Sequence, residues 1–299
     1  MNTNVDNLGE FRNPKTWTDF SYLRWKQKEP KINRLNKIIL KTRLAEIGIS
    51  CAKKIAEFDS ASKILLAGLP EAFVLKPSSL WSATGVMLLH RVHGTNLYFN
   101  AMTKSVISED RIIDSQKNLE IKLKKPIKFI VEERVFDENI DNIIPLDYKV
   151  FSFNGINKFI LQVDRNHQKP KLFFYDGLFD PITDGRVIIP TFKAESMGHQ
   201  RKPQCYNQIL QSASEISRKF AYPFVSVDCY ATNNGVVIGE LTSTPGGPWY
   251  GSMYRFSDEF DELLGNAWLE ASKQLKLEYP KVPLKYDICK DSKICRQVG

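Results

Sequence analysis

The chain has 299 residues, 42% of them hydrophobic and 25% charged, which is the composition of an ordinary globular protein with a sizeable core, arranged as one large domain or two modest ones. Its net charge of +8 suits an anionic partner such as nucleic acid, anionic lipid, a nucleotide or a carboxylate. No run is long and apolar enough to span a bilayer, and no RRM, zinc-finger, KH or basic-zipper signature is present, so a membrane span and nucleic acid are both set aside.

The first sixty residues read as helical, with "KINRLNKIILKTRLAEIGI" placing apolar residues at helical spacing. The N-terminus lacks the apolar stretch of a signal peptide. The five cysteines, Cys51, Cys205, Cys229, Cys289 and Cys295, form no CxxC pair, so a cytoplasmic chain with reduced thiols is expected. "LPEAFVLKP" then reads as a turn entering a buried strand that Pro77 stops, and after the small polar stretch "SSLWSATG" the run "VMLLHRV" resumes as a strand. His90 and His93 would face opposite sides of that strand and lack further ligands, so no metal site is assigned to them. "SEDRIIDSQKNL" has the look of a short capped helix. The basic cluster "KLKKPIK" follows, either a solvated edge or an anion-facing surface.

Strand-like runs come next: "KFIVEERV", "DYKVFSF", "NKFILQVD" and "KLFFYD". "CYNQILQSASEISRKF" is amphipathic, with Ile209, Leu210, Ala213, Ile216 and Phe220 along one side, and "FDELLGNAWLEASKQL" reads as a last helix. Strands do not alternate with helices in a βαβ pattern, so the fold class expected is α+β with mostly antiparallel sheets.

Between those two helices lies "FVSVDCYATNNGVVIGELTSTPGG", a hairpin signal with one Asp and one Glu among apolar residues. A two-residue loop at Asn234-Gly235 pairs Asp228 with Leu241. A three-residue loop over Asn233 to Gly235, with Gly235 left-handed, pairs Asp228 with Glu240 and puts Thr242 on the same face. Two facing carboxylates repel. Either they point into solvent or they hold a divalent cation such as Mg²⁺, which takes one or two carboxylates and completes its shell with phosphates and water.

Upstream, Lys76 ends an apolar strand and precedes a loop of small residues, which suits phosphate oxygens, although no GxxxxGK[ST] or GxGxxG occurs. Glu132 and Glu133 end the next apolar strand, and Asp147 and Lys149 share one face of the strand after it.

Taken in order, "FVLKPSS", "VEERV", "DYKVFSFNG", "LFFYD" and "GELTSTPGG" resemble the ATP-grasp superfamily, and within it the TupA-like (teichuronopeptide-biosynthesis-type) branch linked to cell-surface polymers. The resemblance covers about residues 12 to 265 and implies two α+β subdomains holding ATP between them. It suggests a helical region over 1–60, a small subdomain over 61–130 and a large one over 131–299. By resemblance, Lys76 contacts the α and β phosphates while Ser79, Ser82, Ala83 and Thr84 close over them. Lys37 matches a second nucleotide lysine, with Asn36 where the branch shows aspartate. Glu132, Glu133 and Val135 form the adenine hinge, Asp147 binds the ribose and Lys149 faces the phosphates. Asp228, Glu240 and Thr242 bind Mg²⁺. Arg165, at a strand end, is a candidate clamp for an acyl substrate.

The implied activity is ATP-dependent ligation, in which a small-molecule carboxylate is activated as an acyl phosphate and attacked by an amine or thiol. A homodimer is compatible with the resemblance. Two alternatives stay open: phosphoryl transfer to an alcohol, and nucleotide binding without turnover. The second is motivated by Ser226, which stands where the superfamily commonly carries an arginine.

Overall fold

The structure is a computed structural model that describes residues 11–30, 37–80, 83–189, 197–246 and 253–286, and leaves the side chains of Lys37 and Ile38 undescribed. Along the chain come β1 (Phe11–Arg12), α1 (Trp17–Trp25), α2 (Lys37–Glu46), β2 (Lys54–Phe58), β3 (Ala72–Pro77), β4 (Met87–Arg91), β5 (Leu97–Asn100), β6 (Ser105–Ser108), α3 (Glu109–Leu123) and β7 (Phe129–Glu133). They continue as β8 (Asp147–Phe153), β9 (Ile156–Asp164), β10 (Lys171–Asp176), β11 (Val187–Ile188), α4 (Tyr206–Lys219), β12 (Val225–Thr232), β13 (Gly235–Thr242), β14 (Arg255–Phe256), α5 (Asp258–Gln274) and β15 (Val282–Pro283). The fold is α+β, and its two larger sheets are built from antiparallel pairs.

The first sheet has six strands in the order β2-β7-β3-β4-β5-β6. Burial alternates along β3, so Phe73 and Leu75 enter a core with Leu89, Tyr98, Phe129, Val131 and Ile112 of α3. The same alternation turns Val74 and Lys76 to the opposite face, and the register of β3 with β7 puts Ile130 and Glu132 beside them. Ser108 caps α3 by accepting from the Arg111 N–H at 3.4 Å, and Glu109 and Asp110 in the first turn complement the helix dipole.

The second sheet runs β10-β9-β8-β12-β13 and is covered on both faces. On one, Tyr148, Val150, Ile160, Val227, Cys229 and Ile238 pack against Ile209, Ala213 and Ile216 of α4 and Leu40 and Leu44 of α2. The other carries Phe151, Phe153 and Phe159 against α1 and α5, with Trp17 stacked on Phe151 at 5.6 Å and Trp268 on Phe224 at 4.6 Å. Gly265 permits that approach, because a Cβ there would lie 2.0 Å from the Lys15 carbonyl oxygen. The aromatic cluster fills only one end of this face. Asp147 and Lys149, on the same side of β8 as Phe151, lie at the other.

Most expected elements occur where the sequence reading puts them. Besides the two-residue strands β1, β11, β14 and β15, three strands of the six-stranded sheet escaped it: β2, whose "KIAEF" mixes charge with apolar residues, and β5 and β6, joined through a turn without an Asn-Gly signal. The first sixty residues are shared out, since α1 and α2 lie on the five-stranded sheet while β2 joins the six-stranded one. The 130/131 division falls within β7. The linker after α2 stitches the sheets together: Ser50 O accepts from the Ile238 N–H at 2.9 Å, and Lys53 exchanges backbone and side-chain hydrogen bonds with Glu133 at 2.9 and 2.7 Å.

Candidate active site

The β12–β13 hairpin brings Asp228 directly opposite Glu240 by a route neither loop length anticipates. The turn occupies Asn233 and Asn234, with Thr232 paired to Gly235, which is left-handed at φ 102°. That register alone would miss the acid pair by one residue. A bulge between Asp228 and Cys229 supplies the missing residue, with Gly239 as the extra one on β13. Glycine is favoured there, because a Cβ on Gly239 would lie 2.7 Å from the Tyr230 ring and the ring would have to shift.

Neighbouring β8 completes the cluster, its register setting Lys149 against Asp228 and Asp147 against Tyr230. The Lys149 ammonium donates to Asp228 Oδ2 and lies 2.9 Å from Asp147 Oδ2. Arg165, from the end of β9, donates to the same Asp147 oxygen at 3.0 Å. Ser226 and Thr242 hydroxyls donate to the two oxygens of Asp228 at 3.3 and 3.5 Å. Asp147 and Asp228 are buried. Burial raises the Asp228 carboxyl, Lys149 pulls it back, and Asp147 and Glu240 add to the rise, leaving it at about 7. For Asp147 burial also acts upward, but Lys149 and Arg165 overcome it and hold the group below its ordinary value. Lys149 stays protonated because the two carboxylates outweigh the burial that disfavours its charge.

On the six-stranded sheet one acid meets two bases. Glu132 is buried and faces two ammonium groups, Lys76 at 2.6 Å from Oε2 and Lys41 at 2.9 Å from Oε1. Lys41 also donates to Ala52 O, which ties α2 to the linker. It was not anticipated. The only sequence signal is its position one turn after Lys37, on the same helix face. Beyond Lys76, the loop is braced by the Ser78 N–H on Lys128 O at 2.9 Å and by the Gln116 amide on Gly85 O at 3.1 Å. Ser79, Ala83 and Thr84 are exposed on it, and Ala83 is left-handed at φ 58°. Ser82 and the side chain of Lys37 lie outside the described residues. Glu133 is exposed and bound to Lys53, and Val135 is half-buried just beyond β7.

Two buried acceptors in these clusters have no hydrogen-bond donor, Glu132 Oε1 and Asp147 Oδ1. The Lys41 contact to Glu132 is close but not aligned as a hydrogen bond. A buried acceptor left without a donor costs about 1–3 kcal/mol. Asp147 Oδ1 therefore fits a ligand that brings O–H groups, as ribose hydroxyls would, while Glu132 Oε1, ion-paired with Lys41 at 2.9 Å, keeps room for one N–H donor such as an adenine amine. The cation reading is also chemically consistent. Among the described residues no three His, Cys, Asp or Glu side chains gather to hold a metal alone, while Asp228, Glu240 and Thr242 make an all-oxygen partial set of the kind Mg²⁺ shares with phosphate and water.

A family model described as TupA-like ATPgrasp matches residues 24–269, most of the chain. The chain belongs to this family. The TupA-like ATP-grasp chain is also similar to solved structures at low identity. D-alanine–D-alanine ligase from Bacillus anthracis, complexed with ATP, shares 12% identity at a TM-score of 0.47, covering 81% of this chain and 66% of that one. The ATP-grasp ligase PsnB, complexed with a phosphomimetic variant of its minimal precursor, Mg and ADP, shares 11% at 0.43, covering 85% and 68%. An L-amino acid ligase from Bacillus licheniformis shares 12% at 0.40, covering 71% and 41%. No curated protein sequence matches. No helix among the described residues is long and apolar enough to cross a membrane.

Proposed function

We propose that this TupA-like ATP-grasp chain is an ATP-dependent ligase that joins a small-molecule carboxylate to an amine or thiol, in cell-surface polysaccharide or natural-product biosynthesis. The observation that carries the nucleotide half is the pair of buried, donor-less acceptors, Glu132 Oε1 and Asp147 Oδ1, each beside lysine. Glu132, with the backbone of Glu133 and Val135, would take the adenine and Asp147 the ribose. Lys76 and Lys41 would turn from Glu132 to neutralise phosphate oxygens, with Ser79, Ala83 and Thr84 on the loop. Asp228, Glu240 and Thr242 would hold Mg²⁺, which supplies positive charge to the phosphates when bound. In the reaction a carboxylate oxygen attacks the γ-phosphorus and ADP leaves. The amine then attacks the acyl carbon, phosphate leaves and the amine loses a proton. Catalysis of the first step consists mainly of positioning and charge neutralisation, which lysines and a metal ion provide.

Ser226 favours a second reading, nucleotide binding without ligation. It is fully buried and its hydroxyl is turned to Asp228, so that position offers no cation for the transferred phosphate. Arg165 is one candidate replacement, and it is engaged by Asp147. Thermal unfolding with and without MgATP tests the shared premise. At a hundredfold excess over Kd a ligand specific for the folded state adds about 2.7 kcal/mol. No rise in Tm with any nucleoside triphosphate would remove both readings. A rise, followed by hydroxylamine-trappable acyl phosphate in a carboxylate screen, would select the ligase. ADP release without trapping would point to phosphoryl transfer to an alcohol.

A further inference from the structure

The Lys149 ammonium, which the family resemblance turns towards phosphates, is held by carboxylates. It bridges Asp147 and Asp228 from the strand between β9 and β12, and the oxygen it takes on Asp228, Oδ2, is also the one the Thr242 hydroxyl reaches. A divalent cation on Asp228 and Glu240 would meet that ammonium at the same oxygen, and two positive charges in so buried a place exclude one another. The surroundings are arranged so that Lys149 can leave. Its side chain keeps 18% of its surface open, whereas those of Asp147 and Asp228 keep 4% and 3%. Arg165 remains on Asp147 after its departure, and Ser226 and Thr242 remain on Asp228. Neither acid is left bare.

We propose that Lys149 is the resident counter-ion of the cation site, excluding a free divalent metal from Asp228 until nucleotide phosphates draw the ammonium away. The inference rests on the reading of Asp228 and Glu240 as metal ligands. Lys149 is then a positioning residue with two partners, carboxylate in the empty site and phosphate in the filled one. Nucleotide and metal become mutually dependent, because each raises the other's affinity by the same factor. Free metal binds only in the fraction of molecules whose Lys149 is already away, and its apparent affinity falls by that fraction.

The test is Mn²⁺ binding followed by electron paramagnetic resonance, first without nucleotide, on the native chain, Lys149→Met, Lys149→Arg and the double variant Lys149→Met/Asp228→Asn. Lys149→Met should bind free Mn²⁺ at least about tenfold more tightly than native. Lys149→Arg, which keeps the charge, should stay near native, and the double variant should lose the gain. Equal affinity in native and Lys149→Met overturns the proposal, as does a gain that survives Asp228→Asn. Should Lys149→Met fail to fold, Lys149→Gln, whose amide can still bridge the two carboxylates without charge, is read the same way. Repeating the titration with ADP separates the two levels. Native chain that binds Mn²⁺ with ADP through Asp228, but shows no tightening on loss of Lys149, refutes the counter-ion alone. Absence of any Asp228-dependent Mn²⁺ binding, with or without ADP, refutes the metal reading and the counter-ion together.

Discussion

The six-stranded and five-stranded sheets each carry a buried knot of acid and base, and the two knots differ in make-up. On the first, one carboxylate, Glu132, faces two ammonium groups, Lys41 and Lys76. On the second, two carboxylates, Asp147 and Asp228, flank Lys149, Arg165 lies on Asp147, and Glu240 stands opposite Asp228 on the next strand. Buried charges are tolerated when paired and hydrogen-bonded, and a mismatch in number is paid for elsewhere in the fold unless a ligand cancels it. The surplus of lysine about Glu132 suits phosphate, and the facing carboxylates of Asp228 and Glu240 suit a cation. A magnesium–nucleotide complex carries both.

The comparison breaks first at Asp228. Asp228→Asn should lose the magnesium-dependent part of the nucleotide's stabilisation, up to about 2.7 kcal/mol at a hundredfold excess over Kd, read as a Tm that no longer responds to adding Mg²⁺ to ATP. It should leave nucleotide binding in EDTA nearly as it was. Lys76→Met is expected to do the reverse. It should weaken ATP or ADP by about tenfold, which is 1.4 kcal/mol, and by the same factor in EDTA and in magnesium, as measured by isothermal titration calorimetry. Metal-dependent loss in Lys76→Met, or metal-independent loss in Asp228→Asn, would mean that the two knots do not divide the labour in this way.

Gly239 sharpens the geometry beneath the second knot. Gly239→Ala forces a Cβ against the Tyr230 ring, and the flexible ring can give way, so a cost of about 1 kcal/mol is expected, the low end of overpacking, read from urea unfolding. Its larger signature is functional. If the bulge sets the register, the variant should lose magnesium dependence in proportion to the misplacement of Glu240 relative to Asp228.

That bulge marks the limit of what the string of residues discloses. Strand alternation and an Asn-Gly turn sufficed to bring Asp228 and Glu240 together as one option, and Asp147 with Lys149 followed from spacing alone. Which residue absorbs the odd count did not, because the string offers a glycine at both 235 and 239, and Ile238 between them is also tied to Ser50 outside the hairpin. Arg165 was legible as a strand-end cation, but its partner lies across the β8–β9 ladder, where no local pattern reaches. Lys41 is a case of helix docking: its contacts are made by the linker and β7, which spacing along α2 does not disclose. Long-range register and helix docking are the links that periodicity cannot carry.

A third knot tests whether burial, rather than composition, gives the other two their consequence. Lys128, within the basic "KLKKPIK" stretch, lies 3.3 Å from both Glu57 and Asp59, one ammonium between two carboxylates just as Lys149 is. All three are at the surface, with side chains 56%, 27% and 63% exposed. Water and salt screen such pairs, and holding long side chains in place costs entropy that offsets the attraction. Lys128→Ala should therefore leave the urea midpoint, the nucleotide affinity and their salt dependence unchanged within error, while Lys149→Met alters metal binding. A measurable effect at Lys128 would show that stoichiometry alone makes such a knot, and the division between the two buried sites would then need another cause.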